Sequence, residues 1–454
     1  MTKTNLPRSH WTSRWAFIMV TAGSAIGLGN LWKFPYMAGT NGGSAFVLVY
    51  LACIVGIGLP LLMAETLLGR RGQGNPMDAM GTVAREAGVG SYWRALGFVG
   101  TIGALMILSF YSVVAGWILD YMVRAFGAYG GFTGITVESA APMFGALLAD
   151  PLKMIGWHTV FMVLTILVVA RGVTGGIERA NKIMMPALFV ILIVLIIYGI
   201  VAADMPAAIR FMFHFDARQI SPSVILAAMG HSFFTLSLGM GSIMTYGSYL
   251  DCNTSIARNC FYVALADTVI ALLAGLAIFS VVFANGLAPA AGPGLILQTL
   301  PLAFAQMPLG QLVGVLFFVL VVFAAWTSSI SLLEPFVSFL IERTSLSRVQ
   351  AAWVTGLAVW CSGSAVALSF NDWSEVKIFG LGFFDLFDTL TSRLIMPISG
   401  LLIAVFVGWV MHKKHVAEEL QLAGGGFALW YNLLRFVSPV VITLIFLNVM
   451  GWLG

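Results

Sequence analysis

Charged residues are scarce in this sequence. Asp, Glu, Lys and Arg make up only 9% of the 454 residues, whereas 59% are hydrophobic, and the formal net charge is +4. Soluble domains carry about 25% charged residues, so the composition excludes a soluble protein and indicates an all-α integral membrane protein. The small net charge gives no reason to expect a nucleic acid as a partner. Four cysteines do not suggest a disulfide framework.

The motifs of membrane-bound enzymes are also missing. The sequence has no His-Glu-x-x-His pair, no Gly-x-Ser-x-Gly elbow and no Walker loop, and its six histidines are scattered along the chain. We therefore predict no catalytic residues, and we interpret the chain as a protein that is not an enzyme.

Long hydrophobic runs are what the sequence has in abundance. Eleven apolar stretches are bounded by charged and turn residues, near 13–37, 44–68, 95–123, 159–170, 183–202, 222–250, 259–285, 310–341, 349–369, 377–411 and 429–453. Because about 20 apolar residues cross a bilayer, we predict eleven transmembrane helices within a single transmembrane domain, 1–454.

The distribution of Lys and Arg predicts the orientation of these helices. If the N-terminus is cytoplasmic, most of the 23 basic residues fall in inner segments, and the outer segments hold only Arg124, Lys153, Arg210, Arg218 and Lys377. Basic residues concentrate on the cytoplasmic side of membrane proteins. We therefore place the N-terminus inside and, with an odd number of spans, the C-terminus outside.

Two of the stretches are interrupted in the middle of the membrane. The first contains Gly23-Ser24-Ala25-Ile26-Gly27-Leu28-Gly29-Asn30, and the sixth contains Thr235-Leu236-Ser237-Leu238-Gly239-Met240-Gly241-Ser242. A single glycine-rich run would favour helix packing, but two breaks in corresponding halves are typical of a transporter binding site. We predict two inverted five-helix repeats, 13–202 and 222–411, with broken helices 1 and 6, followed by an extra eleventh helix, 429–453.

Several short strings resemble one family, the neurotransmitter:sodium symporters. They are Trp11-Thr12-Ser13-Arg14, Gly29-Asn30-Leu31-Trp32-Lys33-Phe34-Pro35, Asn41-Gly42-Gly43, Phe233-Phe234-Thr235-Leu236-Ser237-Leu238-Gly239 and Thr327-Ser328-Ser329-Ile330. The resemblance covers nearly the whole chain and is greatest to the bacterial amino-acid members with eleven spans. It implies a multi-pass protein of a prokaryotic plasma (inner) membrane that transports a small molecule with sodium ions by alternating access. It implies that one chain suffices for transport, and association into oligomers is left open.

Neither break contains a basic residue. The charged carboxylate and ammonium groups of an amino-acid substrate must therefore be neutralised at mid-membrane without charged side chains. Backbone amides near Ala25 and Gly29 are expected to bind a carboxylate, and freed carbonyls in both breaks to accept from an ammonium group; the resemblance adds the phenol of Tyr111. The predicted substrate site comprises Ser24, Ala25, Gly29, Ile107, Tyr111, Phe234, Thr235, Ser237, Met240, Ser328 and Leu332. This neutral set predicts a neutral, mainly hydrophobic amino acid, with Met240 as an adaptable wall.

The resemblance also implies two sodium sites. The first comprises Ala25, Asn30, Thr235 and Asp267, together with the substrate carboxylate. The second comprises Gly23, Ile26, Ala324, Thr327 and Ser328. Asp267 stands where many relatives have asparagine, so its negative charge is expected to make transport independent of chloride; whether Asp267 also exchanges a proton is left open.

Gates follow from the same resemblance. Lys33 and Asp388 are expected to form an outer latch, and Arg8 and Glu342 an inner one with Trp11 and Tyr249 packing nearby.

A channel and a non-transporting amino-acid sensor are the alternatives to a transporter. A channel would line several helices with polar residues, whereas this chain concentrates them centrally, and substrate binding measured with and without sodium would identify a sensor.

Overall fold

The computed structural model describes residues 10–289, 292–422 and 424–452. The protein is all-helical, with about 81% helix. Within the described residues there is no β-strand, only an isolated bridge between Ile378 and Leu381. The predicted all-α membrane fold is therefore confirmed.

Most of the helices are long and apolar enough to cross a membrane. In the described part of the chain there are nine such helices: Ser44–Gly72, Ser91–Ala125, Pro151–Ala170, Val173–Ala202, Ile256–Ala284, Gly310–Arg343, Arg348–Leu368, Phe383–Val410 and Gly424–Asn448. Arg14–Ala25 and Gly29–Thr40 count as a tenth crossing, bent by 49°. We call this pair the first broken span.

The predicted second break is also present. The helix Pro222–Thr235 ends at an irregular turn, and a short helix, Ser242–Gly247, follows it. We call this pair the second broken span. Each of its halves is too short to cross a bilayer alone, so the count of eleven spans depends on treating them as one crossing and stays a prediction, as do the repeat boundaries.

Shorter helices connect the spans. They are Pro76–Glu86, Val137–Leu148, Met205–Phe213, Thr299–Gln306 and Lys413–Leu420. The first three of them start at a polar capping residue, Asn75, Thr136 or Asp204. The Asn75 side chain, for example, accepts from the Asp78 amide at 3.1 Å, with Pro76 at the first helical position.

The two longest helices, Ser91–Ala125 and Gly310–Arg343, pack along each other in the centre of the protein. Arg14–Ala25 lies against Gly310–Arg343, and Ser242–Gly247 lies against both Gly310–Arg343 and Ser44–Gly72. Both breaks are thereby held beside one central scaffold.

Glycines allow the second broken span to approach its neighbour closely. A Cβ atom added at Gly69 would overlap the backbone carbonyl of Met244, and one added at Gly247 would lie 2.6 Å from the carbonyl oxygen of Thr66. Backbone atoms cannot move aside as a flexible side chain can. The contact between Ser44–Gly72 and Ser242–Gly247 therefore requires glycine.

We expect Gly69→Ala to lower the free energy of unfolding by about 1–3 kcal/mol, because the new methyl group overpacks this contact. Thermal unfolding of the purified protein in detergent measures the change. Gly56→Ala is the matched control, since Gly56 lies in the same span with nothing within 4 Å of the added atom and alanine there is neutral or slightly stabilising. Equal melting temperatures for the two variants would contradict the prediction.

Candidate functional site

The first broken span loses its helical backbone immediately after Ala25. Ile26 is extended, with φ −75° and ψ 99°, and helical turns resume at Gly29. Carbonyl groups before the break therefore lack their normal partners four residues ahead. They are free to bind side chains or ions.

The freed amides of this break bind polar side chains. The Gly27 amide donates to the side-chain oxygen of Asn30 at 3.1 Å, and the Leu28 amide donates to the phenol oxygen of Tyr111 at 3.3 Å. Gly27 is required by space, because a Cβ atom there would overlap the Ser328 hydroxyl and lie 2.9 Å from the Tyr111 oxygen.

The second broken span turns through left-handed backbone. Ser237, Gly239 and Gly241 have φ values of 54°, 79° and 75°, a region that favours glycine. The Gly239 amide donates to the carboxylate of Glu65 at 2.6 Å, and Glu65 is completely buried. Glu65 therefore supplies a partner for a backbone amide that this break leaves free.

Between the breaks lies a central cavity. Its lining comprises Ser24, Ala25, Gly27, Leu28, Gly29, Ile107, Tyr111, Phe234, Thr235, Ser237, Met240, Ser328 and Leu332. The structure thus brings together every residue predicted for the substrate site, although their roles in binding stay predictions. Gly27 and Leu28 were missed, but both lie inside the glycine-rich string that predicted the first break.

The central cavity is neutral and small. Its lining contains no charged side chain, and its volume of about 30 Å³ is far below the ~300–1,000 Å³ of ordinary ligand pockets. An amino acid therefore fits only if the walls move apart. Met240, the predicted adaptable wall, is 3% exposed, and methionine is unbranched and flexible.

Asp267 lies completely buried beside one side of the cavity. Its carboxylate accepts from the Asn30 amide at 2.8 Å, from the Thr235 hydroxyl at 3.2 and 3.3 Å, and from the Tyr50 phenol at 3.4 Å. All three donors are neutral. Asp267, Asn30 and Thr235 of the first predicted sodium site are therefore in direct contact, and their hard oxygen atoms suit a small cation.

Part of the second predicted sodium set is in contact. The Ser328 hydroxyl lies 3.3 Å from the carbonyl oxygens of Gly23 and Ile26. The Thr327 hydroxyl donates to the Ala324 carbonyl at 3.0 Å. The Ser328 hydroxyl thus connects the first broken span to the central helix Gly310–Arg343, whereas the Thr327–Ala324 bond lies within that helix.

A wider vestibule of about 470 Å³ lies next to the central cavity. Leu28, Tyr111 and Phe234 line both spaces, so these three residues separate them. Lys33 and Asp388, the predicted outer latch, line the vestibule.

The predicted outer latch is not closed in this conformation. The Lys33 ammonium lies 4.1 Å from the centre of the Phe234 ring, a favourable cation–π position, and the Asp388 carboxylate accepts from the Ser392 hydroxyl at 2.8 Å. The Lys33–Asp388 pairing stays a prediction.

The opposite end of the cavity is closed by packed aromatic and ionic contacts. The Trp11 ring meets the rings of Tyr246 and Tyr249 edge-on, at 5.5 and 5.6 Å. The Tyr249 phenol donates to buried Glu334 at 2.8 Å, and Arg348 binds the same carboxylate at 2.5 Å. The predicted neighbours Trp11 and Tyr249 are thus in contact.

Two further acidic residues secure this end. Glu342 accepts from the backbone and side-chain amides of Asn75, at 2.9 and 2.7 Å. Glu178 accepts from the Thr12 amide at 3.1 Å and from the Lys182 ammonium at 2.6 Å. Arg8, the predicted partner of Glu342, lies outside the described residues. The contacts of Asn75 and Glu178 were missed because nothing in the sequence indicates that these distant segments meet.

Comparison with known proteins agrees with this architecture. The model of the family described as "Sodium:neurotransmitter symporter family" matches residues 8–134 and 149–452. An uncharacterized sodium-dependent transporter, YhdH, from Bacillus subtilis is 38% identical over 98% of both chains. An uncharacterized sodium-dependent transporter from Haemophilus influenzae is 33% identical over 99% of both chains. The crystal structure of MhsT in complex with L-phenylalanine is similar with a TM-score of 0.89 and 40% identity, covering 97% of this chain and 100% of that one.

Proposed function

This chain belongs to the sodium:neurotransmitter symporter family, and we propose that it couples sodium entry to the uptake of neutral, mainly hydrophobic amino acids. Members of this family are membrane transporters and not enzymes. The observation that carries the proposal is the neutral cavity between the two breaks, with oxygen-rich clusters beside it. We further propose a prokaryotic inner-membrane location with a cytoplasmic N-terminus, and transport by a single chain.

The charge of the cavity argues for the substrate class. An acidic or basic side chain would find no countercharge in the lining, and burial without one is prohibitive. The zwitterionic backbone of a neutral amino acid needs only hydrogen bonds, which the backbone near Ala25 and Gly29 and the phenol of Tyr111 are placed to supply. The similarity to MhsT, whose structure contains L-phenylalanine, supports the same class.

Sodium coupling follows from shared ligands. Thr235 and Ala25 line the cavity and belong to the first proposed sodium set, so a bound carboxylate would contact the ion directly. Each ligand then raises the affinity of the other, and this reciprocity is the coupling. Two sodium ions per substrate are the stoichiometry that the two oxygen clusters support.

Alternating access follows from the unequal ends of the cavity. In this conformation the vestibule leads to one end, and the contacts of Trp11, Tyr249 and Glu178 close the other. Transport requires Leu28, Tyr111 and Phe234, which separate the vestibule from the cavity, to seal before the closed end opens. A channel would need both ends open together, and a sensor would bind without releasing substrate to the far side.

We expect purified protein in liposomes to accumulate radiolabelled neutral amino acids under an inward sodium gradient. The double variant Thr327→Val and Ser328→Ala should abolish uptake, because it removes two proposed sodium ligands. Thr355→Val with Ser369→Ala is the control pair, since these hydroxyls bond to carbonyl groups of their own helix, Arg348–Leu368, and it should transport normally. Equal native uptake with potassium or choline in place of sodium would contradict sodium coupling.

The second prediction concerns the breadth of substrate. Met240→Phe should restrict uptake to smaller aliphatic amino acids, because a rigid ring replaces a flexible wall in a cavity with little free volume. Met240→Leu, of similar volume, should keep most of the native range. Competition by a panel of unlabelled amino acids measures this, and failure of large aromatic amino acids to compete in the native protein would show that Met240 does not widen the site.

The third prediction is that native uptake is equal in chloride and gluconate buffers. Asp267 supplies a buried negative charge that offsets part of the charge of the sodium ions. Asp267→Asn removes it and should weaken sodium-dependent binding about tenfold or more, and added chloride should restore part of that loss. The pH dependence of uptake tests whether Asp267 carries a proton on the return step. A loss of native uptake in gluconate would overturn chloride independence.

A further inference from the structure

The segment that follows the helix Val173–Ala202 is amphipathic. The helix Met205–Phe213 buries Met205, Ala208 and Met212, which lie on one face. The adjacent face, with the residues that follow, leaves Ile209, Phe213 and Phe215 at 47%, 46% and 49% exposure.

This helix packs on the end of a membrane span. Its Phe211 ring meets those of Phe279 and Phe283 edge-on, at 4.8 and 5.4 Å, and these belong to the last turns of Ile256–Ala284. The exposed apolar side chains therefore lie at the boundary of the hydrocarbon region, where an amphipathic helix rests in the bilayer interface.

A cleft of about 560 Å³ opens beside this helix, and Phe211 and Phe215 line it. Arg210, His214, Asp216, Arg218 and Gln219 are among its lining residues. Arg210 and Arg218 are exposed, and among the described residues neither guanidinium group has a hydrogen-bond or ion-pair partner. The Asp216 carboxylate accepts from the Arg218 backbone amide at 3.0 Å instead of pairing with a guanidinium group.

The two arginines are unusual for their predicted side of the membrane. Basic residues are few in the predicted outer segments, yet two of them line this one cleft. Guanidinium groups bind phosphate in bidentate fashion, and here they adjoin exposed apolar side chains. A lipid that carries a phosphate group and acyl chains would match both the guanidinium groups and the apolar side chains.

We propose that the cleft and the exposed face of Met205–Phe213 bind an anionic phospholipid of the outer leaflet. Arg210 and Arg218 hold its phosphate, and Ile209, Phe213 and Phe215 contact an acyl chain. The cleft also reaches Gly42 and Ser44, and the Ser44 hydroxyl donates to the His214 carbonyl at 2.8 Å. A bound lipid would therefore brace the turn after the first broken span.

The test compares the protein in nanodiscs of phosphatidylcholine alone and of phosphatidylcholine with phosphatidylglycerol. Native mass spectrometry counts the phosphatidylglycerol retained by each protein, and thermal unfolding reports stabilisation. Arg210→Gln and Arg218→Gln should each reduce retention about fivefold, and the double variant should show no preference for phosphatidylglycerol. Lys377→Gln is the matched control, since it removes one exposed basic charge from a predicted outer segment elsewhere, and it should retain the lipid normally.

Two outcomes would overturn the proposal. One is native retention of phosphatidylglycerol by the double variant, which would place the lipid elsewhere. The other is equal stabilisation of the native protein by soluble glycerol 3-phosphate, which would show that the cleft binds a free phosphate and not a lipid. Neither outcome bears on amino-acid transport, because none of the substituted residues contacts the central cavity.

Discussion

Backbone groups left unpaired at the two breaks are the constraint on which this structure depends. A buried amide or carbonyl without a partner costs about 1–3 kcal/mol, and no water is available to it in the hydrocarbon region. The protein supplies partners from other spans: Tyr111 for Leu28, Glu65 for Gly239 and Ser328 for Gly23. The same contacts fix how the spans pack and leave oxygen atoms gathered in one place.

The breaks and the residues around them could be predicted from the sequence because their causes are local. Glycine and serine in the middle of apolar runs are unfavourable for a spanning helix, so Gly23 to Asn30 and Thr235 to Ser242 indicated irregular backbone before any contact was known. The resemblance to the symporter family then placed Tyr111 and Ser328, which lie far away in sequence. Together they gave nearly the whole lining of the central cavity.

Other features could not be predicted because they depend on pairs of distant segments. Glu65 and Gly239 are 174 residues apart, and Asn75 and Glu342 are 267 apart. The sequence around each of these residues gives no indication of which distant residue it contacts. The position of Lys33 over the Phe234 ring also depends on the conformation of the whole protein, so the family resemblance could suggest a latch but not whether it is closed.

The separating layer of Leu28, Tyr111 and Phe234 has a kinetic consequence. A solute in the central cavity has two unequal exits. Towards the vestibule it must pass one layer of side chains, and side-chain rotation is faster than the collective movement of helices. Towards the other end it must wait for packed helices to separate, which takes about microseconds to milliseconds. We therefore expect many exchanges with the vestibule to precede each crossing, with discrimination among solutes settled near equilibrium and the helix movement setting the turnover rate.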